Sequence, residues 1–318
     1  MKNFERKYRF TVAPHGKPGF QVGEGDPMPL RINFKVEKAD TETPNTSRIS
    51  IWNLNPEHIA MLKEKDCMAA LYAGYEQGNV SLINVGTVVH AFTLMDGGDR
   101  ETIIEVTDGR ISLRDTYVSL SYSGTVNTRK IIEDAAEGMG VALTVSYNAK
   151  FANMPNGFSF VGPARVALDK ACATTGLQWQ IYNGVLQVKN RGDTMSREVY
   201  VLSPETGLVG IPKQFTYGED CAGLGEQHGW EATYLLNGAI QVSDFVRLES
   251  KFVKGFFRVK WIEFVGDNIR GAWLCTARLV YATAPRIAPA EHFHSSHTTP
   301  HPHHRSATHQ HRIVQQAS

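Results

Sequence analysis

The sequence has only four cysteines in 318 residues, and it lacks the spacings that metal and redox sites use. Cys67, Cys172, Cys221 and Cys275 lie far apart and form no C-x-x-C pair, so neither a zinc site nor a redox dithiol is predicted. Because isolated cysteines usually serve as small apolar side chains, we expect four free thiols, most of them buried.

Long apolar runs and an excess of one charge are also absent. No stretch approaches the ~20 apolar residues that cross a bilayer. Residues 1–10 alternate charged and aromatic side chains, unlike the apolar core of a signal peptide. The formal net charge is +1, which gives no global reason for nucleic acid or an anionic membrane as the main partner. We expect a soluble protein made in the cytoplasm, with no membrane partner.

Motifs that carry catalysis are missing as well. Ser119 and Ser121 lack the G-x-S-x-G turn that exposes a nucleophile. Glu133, Asp134 and Glu137 fall on the solvent side of a predicted helix, where nothing places two carboxylates across a cleft. The sequence therefore predicts no catalytic residue, no bound cofactor and no enzymatic activity.

The first third of the chain has the patterns of short antiparallel strands. Residues 30–37 alternate strictly between apolar and polar, and residues 48–54 are rich in β-branched side chains, which predicts an early hairpin. Asn55, Pro56 and Glu57 supply a helix N-cap, a first-turn proline and a first-turn acid, which predicts a short helix over residues 56–63. Further strands are predicted at residues 69–74, 80–92 and 101–107.

The middle of the chain changes to helical periodicity, and strands return after it. Residues 128–140 and 163–176 each place their apolar side chains on one helical stripe. Asn183 and Gly184 then mark a two-residue hairpin. Later strands are predicted at residues 198–202, 230–236, 240–249, 256–264 and 272–281. The chain thus reads β, then α+β, then β.

Several short strings, in this order, closely resemble the bacteriophage baseplate (tail) hub protein family. They are TPNTSRISIWNLNPE at residues 43–57, LYAGY at 71–75, INVG at 83–86, ALDKA at 167–171, TGLQW at 175–179 and VLSPETGLVGIP at 201–212. None is a catalytic motif, and the resemblance depends on their order over about residues 1–285. It implies a mainly β, α+β fold in which two tube-like antiparallel β-barrel domains, residues 1–112 and 197–285, flank a small helix-and-hairpin domain at residues 113–196.

The resemblance also implies a function as a structural hub in the virion, at the tail baseplate. Hubs of this family are homotrimers whose two barrels per chain give six similar units, and they adapt a six-fold tail tube to a three-fold central spike. The implied partners are the tail tube or tube-initiator protein and the spike protein, then the tape-measure protein and the baseplate wedge. Nucleic acid would only pass through the lumen.

A ring of this kind needs paired strand edges, because exposed N–H and C=O groups pair unselectively. The strands predicted at residues 80–92, 240–249 and 256–264 are candidates to line it. Their polar faces, carrying Arg247 and Glu249 or Arg258 and Lys260, are expected toward the lumen or the neighbouring chain. Two other functions stay open, a tail-associated peptidoglycan hydrolase and the hub portion of a related contractile injection system.

Residues 286–318 form a histidine-rich tail with almost no apolar side chains, which predicts a segment that is extended or disordered alone. Neutral imidazoles bind transition metals, and three His-x-His pairs place two rings on one side of an extended chain. The candidate metal ligands are His292, His294, His301, His303, His309 and His311. The alternatives are docking on the spike and a tail without a defined metal site.

Overall fold

A computed structural model describes residues 5–40, 45–78, 80–108, 116–195, 198–217 and 227–282. The contacts group Met1–Ala284 into one compact unit. In the described part of the chain, no helix is long and apolar enough to span a membrane. The predicted tail at residues 286–318, the remaining thiol Cys221 and the exact boundaries between the predicted domains lie outside the described residues.

The first segment is a set of antiparallel strands interrupted by one short helix. Its elements are β1 (Arg6–Ala13), β2 (Phe20–Gly23), β3 (Ile32–Ala39), β4 (Thr46–Trp52), α1 (Pro56–Leu62), β5 (Met68–Tyr75), β6 (Ser81–Asp96) and β7 (Asp99–Thr107). The predicted helix start is confirmed, since the Asn55 side chain accepts a hydrogen bond from the His58 N–H at 2.7 Å. Strand β6 continues beyond the predicted end and turns into β7 at Gly97.

The middle segment packs two helices against small sheets. Its elements are β8 (Tyr117–Tyr122), β9 (Val126–Asn127), α2 (Thr128–Met139), β10 (Ala142–Val145), β11 (Asn153–Met154), β12 (Phe158–Pro163), α3 (Ala164–Ala173), β13 (Leu177–Tyr182) and β14 (Val185–Asn190). Both predicted helices and the predicted hairpin are confirmed. Asn183 and Gly184 adopt φ values of 50° and 75°, the left-handed pair that a tight hairpin turn requires. This segment buries its own hydrophobic cluster around α2 and α3.

The last described segment returns to strands. Its elements are β15 (Val199–Leu202), a 3-10 turn (Pro204–Thr206), β16 (Leu208–Tyr217), β17 (Gln227–Leu235), β18 (Phe245–Glu249), β19 (Lys254–Asp267) and β20 (Trp273–Tyr281). The prediction of one strand over residues 240–249 was wrong in its first half. Ile240 and Val242 are buried, but the Asp244 carboxylate accepts the Gln241 N–H and Ser243 has a φ of 72°, so the chain turns there.

The first and last segments share one sheet in the order β16-β17-β20-β19-β3-β4-β7-β6-β5-β1-β2, with β18 on β19 and β15 on β18. One hydrophobic cluster also contains residues from both segments. The fold is mainly β with antiparallel sheets, as expected, whereas the tube-like barrels and the domain boundaries stay predictions. Cys67, Cys172 and Cys275 are buried thiols, as expected.

Candidate assembly surface

The strands of the first and last segments form an internal repeat. The order β3-β4-β7-β6-β5-β1 is matched by β16-β17-β20-β19-β18-β15. One pair of equivalent ladders also shares an irregularity, which lies between Val88 and His90 in β6–β7 and between Val259 and Trp261 in β19–β20. Each segment therefore contains the same pattern of strands, although β1 pairs antiparallel with β5 and β15 pairs parallel with β18.

The outer half of β19, residues 261–267, is covered by the first repeat. It pairs antiparallel with β3, which places Val265 opposite Lys35 and Gly266 opposite Phe34. Gly266 lies directly under the rings of Phe34 and Trp273, and a Cβ atom at this position would overlap both. On the outer surface Lys35 binds Glu263 at 2.9 Å. This pairing is the junction at which the two repeats meet within one chain, and we call it the internal junction.

The equivalent outer half of β6, residues 89–96, has no such cover in the described part of the chain. Strand β5 pairs only with the inner half of β6, from Ser81 to Thr87, and β7 lies on the other side of the outer half. The outer half carries exposed apolar side chains: Val89 is 39% exposed, Leu94 50% and Met95 70%. A long apolar strand with one open edge is the kind of element that pairs with another strand.

Strand β16 ends the described sheet on one side, as β2 does on the other. It pairs with β17 through residues 208–209 and 213–217, and the register shifts between these stretches. Val209 and Ile211 are exposed there. The described sheet thus presents a second apolar edge, far along the strand order from β6.

A buried charge cluster lies next to the internal junction and connects all three segments. The Asp40 carboxylate accepts hydrogen bonds from Lys189 at 2.7 Å and from Arg258, and Lys189 also donates to the Ser243 hydroxyl. The side chains of Asp40 and Lys189 are 4% and 1% exposed. The expectation that Arg258 faces a lumen or a neighbouring chain was wrong, because its side chain is turned inward onto Asp40.

In this cluster two cations bind one carboxylate, and this arrangement shifts the pKa values of Asp40 and Lys189. Burial alone would raise the pKa of Asp40, but Lys189 and Arg258 hold it below its ordinary value. Burial lowers the pKa of Lys189 to about 8, and the charge of Arg258 adds to the effect against the pull of Asp40. Removing Asp40 would leave both cations buried without the carboxylate that both of them bind.

The tip of the middle hairpin is bound at the same place. The Asp108 carboxylate accepts hydrogen bonds from the backbone N–H groups of Asn183 at 2.7 Å and Gly184 at 3.1 Å. Lys38 donates to the Asn183 side chain, and its ammonium lies 4.2 Å from the centroid of the Tyr182 ring. Burial lowers the pKa of Lys38 to about 7, and Asp108 opposes this shift only in part. The middle segment is therefore fixed to the internal junction by buried polar contacts.

Sequence reasoning missed this cluster, and it placed the candidate metal ligands elsewhere. His292, His294, His301, His303, His309 and His311 lie outside the described residues. Within the described ranges, no group of three or more His, Cys, Asp or Glu side chains is arranged to hold a metal ion. Arg247 and Glu249, the other predicted polar face, form an ion pair with each other at 2.6 Å on an open surface.

Comparisons with known proteins agree with this architecture. The sequence profile of the family described as Baseplate hub gp41 matches residues 19–264. No curated protein sequence matches the chain. Among solved structures, a tail protein from Neisseria meningitidis MC58 is similar with a TM-score of 0.56 and 11% identity, over 86% of this chain and 96% of that one.

Two further solved structures share the fold. The 43 kDa tail protein of prophage MuSo2 from Shewanella oneidensis has a TM-score of 0.58 and 9% identity, over 86% of this chain and 96% of that one. The E. coli c3393 protein, a type VI secretion component described as similar to the T4 tail proteins gp27 and gp5, has a TM-score of 0.56 and 9% identity, over 82% of this chain and 76% of that one. All three likenesses concern the fold.

Proposed function

The chain belongs to the family described as Baseplate hub gp41, and from this premise we propose that it forms a homotrimer that joins tail tube to central spike. The observation that carries the proposal is the internal repeat. Each chain contains two repeats with the same strand order, so a trimer contains six similar units. Such a trimer fits a six-fold tube on one side and a three-fold spike on the other.

The proposed role is structural, and its partners are other proteins of the tail. They are the tail tube or tube-initiator protein, the central spike protein, the tape-measure protein and the baseplate wedge, with nucleic acid passing through the lumen. Strand edges and a shared sheet supply the chemistry that such a hub needs, because backbone pairing gives extended and rigid contacts. Assembly would take place in the host cytoplasm before the tail is complete.

Solution mass tests the proposal directly. Native mass spectrometry of the full chain, alone and with purified tube and spike proteins, is expected to give a trimer. A chain that stays monomeric in the presence of both partners would overturn the hub function. Electron microscopy of the complex with tube protein is expected to show six similar units around one axis.

A tail-associated peptidoglycan hydrolase and the hub portion of a related contractile injection system are the competing functions. Dye release from purified cell walls distinguishes a hydrolase from a structural hub, since the hub is expected to release no dye. The second predicts binding to a contractile-system spike in place of a phage spike.

The histidine-rich tail belongs to the proposal as a metal-binding segment. We expect the six candidate histidines to bind a transition metal in the trimer. The measurement is nickel or zinc uptake by the full chain and by a variant with all six changed to alanine. Equal uptake by the two proteins would contradict the proposed site.

A further inference from the structure

We propose that the outer half of β6 pairs antiparallel with β16 of a second copy of the chain, with Leu94 opposite Lys213. The inference rests on the proposed trimer and adds the surfaces and the register by which its copies meet. It follows from one comparison, between the repeat that is covered at the internal junction and the repeat that is open.

Strands β6 and β19 occupy equivalent places in the two repeats. In the β6–β7 ladder His90 lies opposite Glu105 and Leu94 opposite Glu101, while in the β19–β20 ladder Trp261 lies opposite Arg278 and Val265 opposite Leu274. The irregularity in each ladder directly precedes His90 and Trp261. Aligning the repeats on these ladders makes Leu94 the equivalent of Val265.

Strands β3 and β16 are equivalent as well. Strand β3 pairs with β4 so that Lys35 lies opposite Arg48, and β16 pairs with β17 so that Lys213 lies opposite Glu231. Arg48 and Glu231 are in turn equivalent, since they face Glu105 and Arg278 on the central strands. Lys213 is therefore the equivalent of Lys35.

The pairing of β19 with β3 gives the register for the pairing of β6 with β16. At the internal junction Val265 lies opposite Lys35, so the same contact between chains places Leu94 opposite Lys213 and Thr93 opposite Gln214. The aliphatic stem of Lys213 would cover the exposed Leu94 side chain and keep its ammonium in water. The regular stretch of β16 at residues 213–217 is long enough to match residues 90–94.

The pairing has the geometry that a closed ring needs. The two edges are different surfaces of one chain, so the contact is head to tail, and such contacts close into rings when the rotation permits. Pairing would cover the exposed apolar side chains of β6 and satisfy the backbone groups of both edges. Each trimer would then alternate internal junctions with junctions between chains.

Disulfide trapping in the full chain tests the register. The variant with Leu94→Cys and Lys213→Cys puts two thiols on directly opposed residues, within the Cα separation that a disulfide accepts. Mild oxidation is expected to give covalent dimers and trimers on a non-reducing gel. The matched control carries Leu94→Cys and Gln214→Cys. A shift of one residue turns the second thiol to the opposite face, so no cross-link is expected. Each single variant measures the background from the native thiols.

The outcomes separate this inference from the hub proposal. A trimer by native mass that gives no cross-link in the Leu94 and Lys213 variant overturns the pairing and leaves the hub function standing. Dimers of Leu94→Cys alone that are linked through position 94 of both chains, as peptide mapping of the digested dimer would identify, would also overturn it, since they indicate two β6 edges meeting each other. A monomer at every concentration and with both partner proteins present overturns the pairing together with the trimer. Hydrogen exchange gives an independent measurement, in which amides of residues 89–95 are expected to gain protection in the trimer.

Discussion

The two repeats have the same strand order, yet the edge of the outer half of β19 is covered by β3 and the outer half of β6 is exposed. The covered strand has Gly266 under two aromatic rings, where the open strand has Met95 in solvent. It also has Glu263 bound to Lys35, where the open strand has Phe92. At the internal junction one repeat supplies a strand edge and the other supplies its cover, whereas in the described part of the chain the equivalent edge of β6 has no cover.

The repeats differ again in what lies beside each junction. The middle hairpin, Asp40, Lys189 and Arg258 all meet at the internal junction. In the proposed trimer the internal junctions carry a middle domain, and the junctions between chains are formed by different residues. A hub with six similar units therefore keeps a three-fold character, which is the property that a three-fold spike requires.

The largest expected effect concerns the buried cluster at the internal junction. Changing Asp40→Ala leaves Lys189 and Arg258 buried without the carboxylate that both of them bind, and we expect a loss of about 3–5 kcal/mol in the free energy of unfolding. Urea denaturation of the purified chain measures it. The matched control is Glu37→Ala in β3, the strand that directly precedes Asp40, and its exposed ion pair with Lys35 predicts a loss of at most about 1 kcal/mol. Equal losses in the two variants would show that the cluster does not hold the junction together.

The next effect compares equivalent positions of the covered and the open strand. Gly266→Ala forces a methyl group against Phe34 and Trp273, which we expect to cost about 1–3 kcal/mol. Met95→Ala removes an exposed side chain and is expected to change the stability of the monomer by less than about 0.5 kcal/mol. Thermal unfolding at a concentration that keeps the protein monomeric measures both. A comparable cost at Met95 would mean that the open edge is covered within the chain.

Local signals predicted much of this fold. The Asn55 cap, the stripe of α2 and the Asn183 turn depend on neighbours in sequence, and each formed where the pattern indicated. Strands β1 and β2 were missed, although Tyr8, Phe10 and Val12 alternate with polar residues in β1 and are almost fully buried. A period-two signal was therefore available there.

The internal junction lay beyond such reasoning. Asp40, Lys189 and Arg258 come from three distant parts of the chain, and only the completed sheet brings them together. Arg258 alternates along β19 like a solvent-facing residue, so its pattern pointed outward. Long-range pairing of charges leaves no spacing in the sequence, which is why the candidate site required the structure.

The smallest expected effect is a pH dependence of the folding stability that comes from Lys38, whose side chain is buried at the internal junction. Its pKa is about 7 in the folded chain and near 10.5 when unfolded, so between pH 7 and pH 8 the unfolded state binds more protons. Stability from this group therefore rises with pH in that window, by on the order of 1 kcal/mol. Lys38→Met replaces the lysine by an apolar side chain of similar length that does not titrate. The stability of this variant is therefore expected to rise less between pH 7 and pH 8 than that of the wild type.

Urea denaturation of the wild type and of Lys38→Met at pH 7 and pH 8 gives, for each protein, the slope of the free energy of unfolding against pH. The control is Lys35→Met on the exposed face of the same strand, where neighbouring carboxylates raise the pKa of the lysine and it stays protonated in both states. Asp244, whose pKa burial raises to about 7, titrates equally in all three proteins and leaves the difference unchanged. Equal slopes for Lys38→Met and the wild type would mean that Lys38 is hydrated in solution. The middle hairpin would then be bound less tightly at the internal junction than the contacts of Asn183 indicate.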